Sequence, residues 1–141
     1  MKYEKYLRKL EVMFLELLKD IEQKCYNKAI SSFWFTVELL LRLIIFKVKG
    51  VTFERSGKLI SVMNKYVIKP FFPDLADVIN KLNRLYIYRR NADHRPVIYD
   101  ERTFNEAVKI YIDVVRILLN IAKYFKLDVG KIKELIKKIR I

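Results

Sequence analysis

Apolar residues recur at steps of three and four along nearly the whole chain, a period that predicts helices rather than strands. Leu7, Leu10, Phe14, Leu17, Leu18 and Ile21, with Lys and Glu between them, predict a first helix over about Tyr3 to Gln23. A second, about Asn27 to Lys49, is the most apolar. Its Glu38 and Arg42 stand four apart in the favourable order, and Gly50 offers a left-handed stop. This is the expected central helix. Leu59, Ile60, Met63 and Tyr66 predict a short third helix over Ser56 to Tyr66, after which Pro70 and Pro73 predict an extended link and Asp74 a cap. The fourth helix then runs through Leu75, Val78, Ile79, Leu82, Leu85 and Tyr86 until Pro96 stops it near Asn91 to His94.

Thr103 and Glu106 read as a capping box opening a long fifth helix, whose inward positions are Ala107, Tyr111, Val114, Leu118, Ile121 and Phe125. Beyond Gly130, Ile132, Leu135, Ile136 and Ile139 mark a last amphipathic helix. No strand pattern competes. The expected fold is all-α, an antiparallel up-and-down helical bundle of four long helices plus one or two short ones. Residues 1–125 form the bundle, and 126–141 form a basic amphipathic helix docked on it. The tail from Lys131 has five basic residues and one acid, so lipid or RNA could also take its apolar side; docking is the simpler use of four apolar residues.

With 141 residues the chain suits one domain, and 52% hydrophobic with 32% charged residues is too apolar for disorder and too charged for a membrane bundle. Glu38, Arg42 and Lys47 interrupt the stretch from Phe33 to Val48, which therefore reads as a buried helix and no membrane span. A net charge of +13 biases the surface toward polyanions such as RNA, nucleotides or anionic lipid. A single cysteine, Cys25, and a single histidine, His94, allow neither an internal disulfide nor a Cys/His zinc cluster, and a cytoplasmic location is expected. The N-terminus mixes charges among its apolar residues, unlike a signal peptide. No glycine-rich phosphate loop or nucleophile elbow occurs, so no cofactor is implied.

The chemistry concentrates in Arg84-Leu-Tyr-Ile-Tyr-Arg89-Arg90-Asn91-Ala92-Asp93-His94-Arg95-Pro96. Part of that charge simply complements the negative end of a helix. Yet histidine exchanges protons near neutrality, and arginine grips phosphate through a planar fork. Together they suit RNA phosphodiester cleavage without a metal, with His94 moving protons and Arg89 or Arg90 stabilising charge on phosphorus. Arg84, Asn91, Arg95 and Tyr99 are candidates to hold RNA or phosphate. Tyr86 and Tyr88 could stack on bases too, although Tyr86 fits the core stripe. Asp93, Asp100 and Glu101 are read as solvated or arginine-paired rather than metal ligands. One histidine cannot be acid and base together, so a homodimer supplying a second His94 is expected.

The chain resembles the HEPN domain family (higher eukaryotes and prokaryotes nucleotide-binding), helical bundles with an Arg-x(4 to 6)-His motif at the end of a late helix. Arg89 to His94 has that spacing, and the likeness spans roughly Tyr3 to Phe125, including Asn27-Lys-Ala-Ile-Ser-Ser and Thr103 to Ala107. It implies a metal-independent endoribonuclease of toxin or defence type, with Arg89 and His94 of two protomers facing each other. The alternative it implies is a noncatalytic nucleotide- or RNA-binding module that partners a small nucleotidyltransferase antitoxin. Two departures stand out. The motif arginine is usually followed by Asn, Asp or His; Arg89 is followed by Arg90, while Arg90 precedes Asn91 but lies one residue too close to His94. Where some relatives carry a modifiable tyrosine, two residues beyond the histidine, this chain has Pro96.

Overall fold

A computed structural model describes residues 3–51 and 56–139; Arg140, counted above in the basic tail, lies outside them. The described residues are helical with no strand: α1 (Tyr3–Glu22), α2 (Tyr26–Lys49), α3 (Ser56–Met63), α4 (Lys69–Phe71), α5 (Asp77–His94), α6 (Glu101–Tyr124) and α7 (Gly130–Ile136). Helix α2 is apolar on nearly all sides and is covered accordingly, packing against α1, α3, α5 and α6. By length and composition alone it could cross a bilayer, but 61% of its most apolar stretch is buried inside this fold. Gly50 ends it at φ +71°, its N–H donating to Phe46 O at 2.7 Å. Helix α7 rests against α1 and α6, burying Ile132 and Ile136, with Ile139 buried just beyond it.

An aromatic column ties α1, α2 and α6 together. Tyr26 stacks on Phe104 (4.7 Å between centroids), Phe104 approaches Phe33 (5.9 Å), Phe33 stacks on Tyr111 (4.2 Å), and Phe14 lies 6.4 Å from Tyr111. Tyr111 is fully buried, and its hydroxyl lies 2.6 Å from Thr36 Oγ1. Because Thr36 donates to Phe33 O at 2.9 Å, the Tyr111 proton points to Thr36. Thr36→Val leaves that phenol unpaired and is expected to cost about 1–3 kcal/mol in urea unfolding, whereas Tyr111→Phe, which leaves Thr36 still bonded to Phe33, costs about 1 kcal/mol. Burial pushes the Tyr111 phenol well above its ordinary range, partly offset by Thr36. Above about pH 10 the unfolded chain ionises this phenol while the folded chain does not, so stability fully present at lower pH is lost as pH rises. Tyr111→Phe should make that alkaline loss shallower.

Three local expectations are corrected. The chain does not become extended at Pro70. Beyond α3 it continues through a π-turn at Asn64–Ile68, with Lys69 N–H donating to Asn64 O, and then through α4. The wider turn places Pro70, which lacks an N–H, at the start of a new turn where no intrahelical acceptor is needed. Asp74 caps nothing: it sits in a 3-10 turn at Pro73–Leu75, and α5 starts at Asp77 behind Ala76 without a side-chain cap. Helix α6 opens two residues earlier than Thr103, because Asp100 is the better cap. Its Oδ1 accepts the Thr103 N–H at 2.8 Å, which holds the Asp100 carboxyl below its usual range. Glu106 instead lies 3.8 Å from Arg102.

Candidate functional site

Helix α5 stays regular through His94. Pro96 then forces Arg95 into an extended conformation (φ −117°, ψ 152°), and the helix closes with Arg95 N–H donating to Asn91 O at 3.3 Å. This regularity separates the two arginines. Arg90 and His94 are one turn apart on one exposed side, whereas Arg89 points about 140° away from His94. Arg89 is turned inward across α2: its guanidinium carbon lies 5.3 Å from the centre of the Phe35 ring, and its Nε lies 2.9 Å from Asp93 Oδ2. That close approach lacks the alignment of a hydrogen bond, and the Nε is buried. Arg89 is thus engaged by an ion pair and a ring. Arg90 is open to solvent, its guanidinium carbon 6.0 Å from the Tyr86 ring centre.

The remaining candidates spread out. Arg84 is exposed ten residues before His94, about 15 Å along the helix, and Arg95 is exposed beyond the helix end. Tyr99 is buried rather than presented to a ligand: its hydroxyl donates to Tyr88 O at 3.1 Å, and its ring packs edge-on against Tyr88. Burial pushes the Tyr99 phenol up, with the neighbouring Asn91 partly offsetting it. Asn91 is half-buried. Among the described residues no three His, Cys, Asp or Glu side chains gather as metal ligands would, Asp93, Asp100 and Glu101 included.

Sequence reasoning overlooked the α2 side of the site. A shallow cleft of about 410 Å³ runs between the start of α2 and the end of α5, lined by Asn27, Lys28, Ser31, Ser32 and Phe35 on one side and Ala92 and Asp93 on the other. The available signal was polar Asn27 and Ser31 at a four-residue step on the most apolar helix, where a solvated face needs a reason. Asn27 also fixes the chain leaving His94. Its Nδ2 donates to Val97 O at 2.8 Å, and its Oδ1 accepts the Tyr99 N–H at 2.9 Å. Those two bonds hold a segment that has no ladder of its own. Asn27→Ala is expected to cost about 1–2 kcal/mol and to release protection of the Tyr99 amide in hydrogen exchange; unchanged protection would refute the clamp.

Chemically, the helix end offers an exposed imidazole one helical turn from an exposed guanidinium. Next to them, the cleft carries the Ser31 and Ser32 hydroxyls and the Lys28 ammonium, which is paired with the buried Asp20 at 3.3 Å. Apolar surface frames this end: Ile98 is 92% exposed, Ile87 54% and Phe35 40%. Compared with known proteins, the chain matches no family model and no curated protein.

Proposed function

We propose that the chain is a metal-independent endoribonuclease of toxin or defence type, acting in the cytoplasm as a homodimer. The four long helices α1, α2, α5 and α6 are read as an antiparallel up-and-down bundle of the HEPN kind that the sequence resembles, with α3 and α7 as short additions. The observation that carries this reading is that Arg90 and His94 stand one turn apart, both exposed, at the end of α5.

In this reading His94 of one protomer takes the proton from a ribose 2′-hydroxyl. The oxygen attacks phosphorus to form a 2′,3′-cyclic phosphate, and His94 of the second protomer protonates the departing 5′-oxygen. Arg90 stabilises the charge that develops on the phosphoryl oxygens, and Arg89 keeps Asp93 and α2 in place. A second copy accounts for the missing proton carrier and gives exposed Phe35, Ile87 and Ile98 something to cover them. The test is incubation of RNA in chelator, with sedimentation to find the oligomeric state. A dimer that yields cyclic-phosphate ends supports the reading. Intact RNA together with tight binding to a small nucleotidyltransferase overturns it in favour of a noncatalytic module.

A further inference from the structure

Four aromatic rings gather far from His94. Phe71 and Phe72 precede α5, and Tyr124 and Phe125 end α6. The Phe71–Phe125 and Phe72–Tyr124 centroids are each 5.2 Å apart, and the Tyr124–Phe125 centroids 5.1 Å, all edge to face. Phe72 lies five residues before the first residue of α5, whereas His94 is its last, about 26 Å along the helix. Phe72 and Phe125 are half-buried in this cluster, but Tyr124 remains 62% exposed and Phe71 47%. Core packing explains the inner two rings and leaves the outer two without a purpose.

The neighbouring surface supplies one. Asn120 and Arg116 stand one and two turns before Tyr124 on α6, so the three side chains follow one face of the helix. Arg116 and Asn120 form a wall of a pocket of about 240 Å³. Leu119 and Ile136 give it apolar lining, and Lys133 and Lys137 of the α7 segment complete it. Among the described residues no carboxylate lines this pocket, and Arg116 and Lys133 have no carboxylate partner; the nearby Glu134 accepts from Lys137 at 3.1 Å. A concave site with three cations beside exposed rings fits an anion that carries flat, stackable groups.

We propose that this face binds single-stranded nucleic acid, with backbone phosphates on Arg116, Lys133 and Lys137 and an unpaired base on Tyr124. Arg116 and Tyr124 are eight residues apart, about 12 Å, so one oligonucleotide reaches both. Paired bases keep their faces stacked inside a helix and present none to a surface ring, which selects single strands over duplex. A lipid surface fits less well, because Asn120, Lys123 and Arg116 interrupt the exposed side of α6 around Tyr124 with polar groups. The site is remote from His94 and stands without the cleavage reading.

The test uses full-length His94→Ala protein and a fluorescein-labelled oligouridine of twelve nucleotides, followed by anisotropy across a salt series. Tyr124→Ala is expected to weaken binding about tenfold or more. Arg116→Gln with Lys133→Gln is expected to weaken it and to flatten the salt slope by about 1.4, near 0.7 per lost phosphate contact. Lys5→Gln with Lys58→Gln removes the same charge elsewhere and should leave the slope nearly unchanged. Circular dichroism confirms that each variant is folded. The proposal fails if Tyr124→Ala binds as the parent does, if the charge-matched control loses as much, or if duplex competes as well as single strand. It fails equally if Tyr124→Ala impairs binding to vesicles rich in phosphatidylserine and leaves the oligonucleotide untouched.

Discussion

His94→Ala is expected to lower RNA cleavage in chelator by about 10²–10⁴-fold, the range typical for loss of a positioned proton carrier. Arg90→Ala is expected to lower it by about 10²–10³-fold, as loss of one charge-stabilising donor does, and Arg90→Lys should restore little, because an ammonium lacks the planar fork. Arg89→Ala should behave differently. Its guanidinium is spent on Asp93 and the Phe35 ring, so its removal loosens the contact between α5 and α2, at a cost of about 0.5–1 kcal/mol in unfolding, while cleavage stays within about tenfold. Rates from single-turnover assays, read beside thermal melts of the same variants, separate a chemical effect from a structural one. If Arg89→Ala proves the more damaging to cleavage and leaves the melting temperature alone, the pairing of Arg90 with His94 is wrong and the Arg-x(4)-His spacing is the functional one.

That comparison marks where the sequence was legible. Periodicity located α1 and α2 to within one residue at each end, because each must bury a long stripe; Leu10, Phe14 and Leu17, for example, are all buried. It failed where local chemistry offered equivalent choices. Pro70 forbids an ordinary helical turn but tolerates a π-turn followed by a fresh start, and nothing short of the packing of Val67 and Ile68 into the core decides between that and an extended link. Asp100 and Thr103 both suit a cap, and the winner depends on which backbone N–H the fold leaves open. Around His94, the single imidazole and the proline after it were visible in the residues. The roles of Arg89, Asn27 and Asp93 were not, since they depend on α2 lying beside the end of α5. No spacing within either segment encodes that contact.

The largest stability effect is expected from Phe33→Ala. Phe33 is fully buried at the middle of the aromatic column, stacked on Tyr111 with rings 16° from parallel and close to Phe104, and its backbone carbonyl accepts the Thr36 hydroxyl. Truncation removes the transfer energy of a whole ring and leaves a void that long, stiff neighbours on two helices cannot fill, which costs about 3–5 kcal/mol. For a chain of this size that corresponds to a melting temperature lower by roughly 10–20 °C. Leu15→Ala, on an exposed position of α1, should change stability by about 0.5 kcal/mol or less, and Phe33→Leu should fall between. The consequence reaches the site. Tyr26, at the outer end of the same column, is the residue before Asn27, so a slackened column loosens the side chain that holds Val97 and Tyr99. In Phe33→Ala, hydrogen exchange at the Tyr99 amide is therefore expected to speed up more than the global loss of stability accounts for. Exchange that merely tracks global unfolding would show that the column supports the core alone and that Asn27 sets the loop independently.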